Sequence, residues 1–136
     1  TQEVTVGVQI LNFNFNNEFT FSADKDLTWN FGYFTFFDTS DDSYRLSGTA
    51  SGTDVATGNA ITTTINPASA LLYDRSCQYG MVSGIIDITL TGDSLDYTGG
   101  NIDFLESDSC NNVVMITLEN SETQQSITIP KQFDNF

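Results

Sequence analysis

The chain has 136 residues, with 18 Asp or Glu against four Lys or Arg, no His, and a formal charge of −14. Such a surface repels phosphate backbones, and Lys25, Arg45, Arg75 and Lys131 are too few to supply the counterion release that drives nucleic-acid binding, so nucleic acids and anionic membrane surfaces are poor partners. Without His there is no histidine-based triad, imidazole base or His-ligated metal, and any catalysis rests on carboxylates alone. The length suits one all-β domain over 1–136, and 39% hydrophobic residues, including 11 Phe, five Tyr and one Trp, are enough for a core. Thr, Ser and Asn are abundant and Ala is scarce, a bias toward strands and polar turns rather than helices.

In chain order, Val4, Val6, Val8 and Ile10 alternate with Thr5, Gly7 and Gln9, the period of a half-buried strand. The parity changes at Leu11 and Asn12, where a bulge or bend is expected, and Phe13 and Phe15 follow before an Asn16-Asn17 turn into a strand with Phe19 and Phe21. Residues 23–26 (Ala, Asp, Lys, Asp) have turn composition, and 27–37 then form a long strand. Trp29, Phe31, Tyr33 and Phe37 lie on one face of it, Phe34 and Phe36 on the other. An acidic turn over 38–43 leads to a strand over 44–51. Loop material follows at 52–58, then a short strand at 61–65, a stop at Asn66-Pro67 and a helical turn over 68–73. After Cys77 the predicted strands are 81–91, 95–97, 102–105, 113–118 and 126–129, with Gly92-Asp93, Gly99-Gly100, 119–124 and Pro130 as breaks. Eight to ten short strands without a long amphipathic helix predict an antiparallel β-sandwich, with a barrel as the alternative. No apolar stretch is long enough to span a bilayer, and no charged-then-apolar leader opens the chain.

Cys77 and Cys110 have no metal-ligand clustering around them and are expected to form one disulfide across 33 positions, which implies an oxidising compartment. No Asn-x-Ser/Thr site occurs, which favours a bacterial envelope over an animal secretome.

From about 73 to 130 the order of features is distinctive: Cys77-Gln78-Tyr79, Ser83-Gly84-Ile85-Ile86-Asp87-Ile88-Thr89, Leu95-Asp96-Tyr97-Thr98-Gly99-Gly100, and Asp108-Ser109-Cys110-Asn111-Asn112 ahead of 113–118. This segment resembles the closing β-segment of secreted and surface-lipoprotein domains from the Bacteroidetes. It differs from them by an insertion over 102–108 and by Asn111 where an acidic residue usually stands. The resemblance implies export and a cell-envelope setting, and no catalytic residues.

Three acidic clusters have the oxygen ligands that Ca²⁺ favours: Asp24 with Asp26; Asp38, Asp41 and Asp42; and Asp103, Glu106 and Asp108. The Asp38/Asp41/Asp42 loop is the best candidate metal site, while Asp residues capping their own turns explain the rest. Asp87 lies in an apolar run, as a catalytic carboxylate would, yet alternation makes it an outward residue between inward Ile86 and Ile88. No serine has a partner base, so an enzyme is not expected. Trp29 and Tyr33 could instead form a flat platform for sugar rings or a protein hot spot.

The expected function is a non-catalytic secreted or cell-surface domain, a binding or structural subunit of a bacterial envelope assembly. Its partner would be another envelope protein, joined at an edge such as the 4–11 strand. The alternatives are a carbohydrate-binding module, with or without Ca²⁺, a lipocalin-like barrel holding a lipid, and, last, a carboxylate-dependent hydrolase. A lipid anchor upstream of Thr1 is compatible with each.

Overall fold

The computed structural model describes residues 2–4, 11–12, 18–32, 34–35, 37–93, 95–105, 110, 113–120 and 122–130. Its strands are β1 (Gln2–Val4), β2 (Leu11–Asn12), β3 (Glu18–Phe31), β4 (Ser43–Asp54), β5 (Ala60–Ile65), β6 (Leu71–Asp74), β7 (Met81–Ser83), β8 (Ile85–Thr91), β9 (Gly99–Asp103), β10 (Val113–Glu119) and β11 (Gln124–Pro130). The single helical piece among the described residues is a 3₁₀ turn at Pro67–Ser69. The expected all-β, antiparallel architecture is present as one hydrogen-bonded sheet in the order β1-β3-β4-β5-β8-β9-β10-β11, with β2 beside β3 and β6 between β4 and β7. β5 and β6 both pair with β4, and β6 and β5 pair in turn with β7 and β8, so each of these couples is one strand line interrupted by a local excursion. β1 and β2 likewise both pair with β3, on the side away from β4, so the eleven segments follow eight lines in chain order, an up-and-down meander in which neighbours in sequence are neighbours in space.

Several boundaries differ from those expected. Residues 23–26 are not a turn: Ala23, Asp24, Lys25 and Asp26 pair with Ala50, Thr49, Gly48 and Ser47 in the middle of β3. The polar composition there reflects Asp24 and Asp26 on the solvent side, while the period-two series Phe21, Ala23, Lys25, Leu27 and Trp29 runs on unbroken. The strand expected over 27–37 ends at Phe31. Gly32 adopts φ +88°, and its carbonyl accepts from Thr35 N and Oγ1 at 3.0 and 2.8 Å, which closes a turn. Tyr33 and Phe36 lie outside the described residues, as do Phe13, Phe15 and the Asn16-Asn17 turn. Within 68–73 only the start is helical: Asn66 Oδ1 accepts from Ala68 N at 2.9 Å, and Leu71 and Leu72 then pair with Leu46 and Arg45. Residues 95–97 form no strand, and Gly99 and Gly100 open β9 instead of breaking it. They pass against the carbonyls of Ile88 and Thr117, where a side chain has no room.

Antiparallel partners share a face, so the register sorts the side chains into two sets. One face carries Thr20, Ser22, Asp24, Asp26, Thr49, Ser51, Thr62, Thr64, Asp87 and Thr89, all exposed. The other carries Phe21, Leu27, Trp29, Tyr44, Leu46, Ile65, Leu71, Ile86, Ile102 and Ile116. Its buried centre is Ile65, Leu71, Phe104 and Val114, with Leu46, Met81, Ile86 and Ile102 packed against it.

Two glycines sit where the backbone of a neighbouring strand comes close. A Cβ at Gly48 (φ +116°) would collide with Asp24 O and Lys25 Cα, and one at Gly84 (φ +116°) would lie 2.6 Å from the Leu71 Cα. Only glycine adopts such a φ without cost, and only glycine leaves space for so close an approach. Cys77 and Cys110 are joined as expected, with Cα atoms 5.6 Å apart, tying the β6–β7 turn to the connection between β9 and β10. A disulfide of this kind belongs to oxidising, extracytoplasmic settings. Among the described residues no helix is long and apolar enough to cross a membrane.

Candidate functional site

The apolar face is well covered at its centre and open toward β3. Ile65 and Leu71 are each 4% exposed, whereas Leu27, Phe21 and Trp29 on β3 are 38%, 40% and 41% exposed. Ile61 and Tyr73, on the same face, are equally open. No apolar residue among those described falls below 2% exposure, so the core is thin for the number of large apolar side chains on the face.

Across the open part runs an aromatic row set by register. Trp29 pairs with Tyr44, and Tyr44 with Tyr73, placing one ring from each of β3, β4 and β6 side by side. The Trp29 and Tyr44 rings are stacked at 5.9 Å with planes 25° apart, and Tyr44 and Tyr73 are tilted at 6.4 Å and 41°. Cross-strand aromatic pairs of this kind each contribute about 0.5–1.5 kcal/mol. Tyr44 donates its hydroxyl to Asp42 Oδ2 at 3.1 Å. Burial, this hydrogen bond and the Asp42 charge push the Tyr44 pKa up, with Arg75 opposing. The Tyr73 ring lies over Gly80, where a Cβ would come within 2.6 Å of it.

Lys25 occupies one of the apolar positions, between Ala23 and Leu27. Its register partner Gly48 has no side chain, and the Lys25 stem crosses that gap to bring Nζ 3.4 Å from the Gly48 carbonyl. Burial lowers its pKa from the ordinary 10.5.

The structure shares the expected metal ligands among separate local tasks. Asp38 Oδ1 accepts from Ser40 N and Oγ at 3.0 and 2.6 Å, and these bonds, the hydroxyl foremost, hold its pKa below the ordinary value. Asp41 accepts from Thr35 Oγ1 at 2.9 and 3.1 Å. Asp42 is buried, with one oxygen on Tyr44 and the other against Gly32 without a hydrogen-bond partner. Among the described residues no three His, Cys, Asp or Glu side chains gather as a metal site. Asp24 and Asp26 are exposed on the polar face, Asp103 caps the Leu105 amide at 2.8 Å, and Glu106 and Asp108 lie outside the described residues. Asp87 faces solvent, as alternation requires.

On the polar face a cleft of about 500 Å³ is lined by the 68–70 segment and by Arg45, Ser83, Gly84 and Asp103. Among the described residues its one carboxylate is Asp103, without a second beside it of the kind glycoside hydrolysis needs.

Of the two predicted platform residues, Trp29 is on the open face and Tyr33 lies outside the described residues. Sequence reasoning missed Tyr44 and Tyr73 because their relation to Trp29 depends on pairing register, and it missed the placement of Lys25 because its acidic neighbours read as a turn. The uninterrupted parity from Phe21 to Trp29 was the available signal. Compared with protein-family models, curated proteins and solved structures, the chain matches none of them.

Proposed function

We propose that this chain is a non-catalytic binding domain of a bacterial envelope, working through the open apolar face of β3 to β6. The observation that carries this reading is that face: Leu27, Trp29 and Tyr73 stand half-exposed toward one end and Phe21 and Ile61 toward the other, with Lys25 and Gly48 between, whereas the opposite-face positions Thr20, Ser22, Asp24, Asp26, Thr49, Ser51, Thr62 and Thr64 are polar. Exposed apolar surface of this kind marks interaction sites. The disulfide supports an oxidising compartment, and the resemblance of the second half to secreted Bacteroidetes domains supports the envelope.

The uncharged dye Nile red tests the face. Native protein should raise its emission saturably, and Leu27→Glu should abolish the gain while Thr49→Glu, on the polar face, leaves it intact. A native protein that leaves the dye dark, or equal loss in both variants, contradicts the proposal.

The row Trp29, Tyr44 and Tyr73 favours a second reading, a carbohydrate-binding platform. Glycan-array binding lost in Trp29→Ala with the fold intact would support it, and an array with no signal would set it aside.

A further inference from the structure

Lys25 is out of place by charge and by surroundings. The chain has 18 acids for four cations, yet this ammonium stands on the apolar face with a carbonyl as its hydrogen-bond partner and no carboxylate beside it among the described residues. Its register neighbours are Val4 on β1 and Gly48 on β4, and the β4 positions flanking Gly48 on this face are Leu46 and Ala50. Asp24 and Asp26 adjoin it in sequence but point to the polar face, where Glu3 occupies the register position beside Asp26. Along its own strand the same-face neighbours are Ala23 and Leu27, then Phe21 and Trp29. A partly desolvated cation with no counter-ion among the described residues, set on an apolar face, is costly unless something supplies the opposite charge.

We propose that the open apolar face binds a single-chain anionic amphiphile, a fatty-acid carboxylate, with Lys25 as its counter-ion and the Leu27 and Trp29 surface as the bed for its tail. This rests on the apolar face being the binding surface and names its ligand class. One ammonium matches one carboxylate. From Lys25 to Trp29 is about 13 Å of strand at about 3.3 Å per residue, room for most of a twelve-carbon tail. The net charge of −14 does not prevent this, because the acids nearest in sequence lie on the opposite face and the Debye length is about 8 Å at physiological ionic strength. Burial of the ammonium, which already lowers its pKa, strengthens such a pair relative to one in open water.

The test is titration with dodecanoate, below its micelle concentration, and with uncharged dodecanol, read by the emission of Trp29, the chain's one tryptophan. Dodecanoate should shift the emission saturably. Lys25→Met, which keeps the stem and removes the charge, should weaken dodecanoate about tenfold and leave dodecanol unchanged, and Lys25→Arg should restore most of the loss. Equal dodecanoate affinity in Lys25→Met and the native protein overturns the Lys25 assignment. Saturable Nile red binding with no response to dodecanoate overturns the ligand class and leaves the apolar face standing. Sedimentation showing a dimer that shields Trp29 without added ligand assigns the face to a second copy and overturns the proposal.

Discussion

Trp29 and Leu71 lie on the same face and differ tenfold in exposure, 41% against 4%, so truncating them should have different costs. Leu71→Ala is expected to lose about 2–5 kcal/mol in chemical denaturation, as buried leucines do. Trp29→Ala should lose only about 1–2 kcal/mol, the worth of its cross-strand stack and partial burial. Equal losses would mean that Trp29 is core and the face is closed. Lys25 gives a pH signature. Its folded pKa lies below the unfolded one, so the folded state binds fewer protons and the site opposes folding below the folded pKa. That opposition fades as pH rises through the folded pKa toward the unfolded value. Lys25→Met should therefore exceed native stability at pH 7, and the advantage should shrink by pH 10. At this scale the sequence was informative about which residues are apolar and in which parity. Whether an apolar residue is covered was not legible, because that depends on strands remote in sequence.

Strand lines were legible wherever alternation was clean, as in β4, β5, β10 and β11. They were misread where a special residue interrupts the pattern: Lys25 inside β3, the 66–70 excursion between β5 and β6, and the Gly99-Gly100 entry to β9. In each case composition suggested a break, and hydrogen bonding to the neighbouring strand overrode it. Gly48 shows why local composition is insufficient, since its glycine is required by the backbone of β3 across the ladder. Gly48→Ala should cost about 1–3 kcal/mol from the positive φ and the collision with β3. Gly58→Ala, with a positive φ but open space around it, should stay toward the lower end of that range. Thermal denaturation of the pair separates the steric contribution from the conformational one.

For the whole molecule, the disulfide and the sidedness of the sheet govern behaviour. Cys77 is buried, and its bond to Cys110 closes a loop over 33 positions, worth about 3–4 kcal/mol in the chain-entropy account. Reduction, or Cys77→Ser, should lower the denaturation midpoint by an amount of that order. The absence of His and the scarcity of cations, legible from composition, excluded more than the acids suggested: Asp38, Asp41 and Asp42 accept hydrogen bonds from Ser40, Thr35 and Tyr44 in turn. The open apolar face was not legible as a unit, because it is assembled by register from four strands. Acrylamide quenching of Trp29, with and without saturating dodecanoate, tests that surface most directly. An open apolar face that takes an amphiphile predicts ready quenching in the free protein and a several-fold smaller quenching constant in the complex. A tryptophan shielded in the free protein, or quenched equally in both, would contradict it.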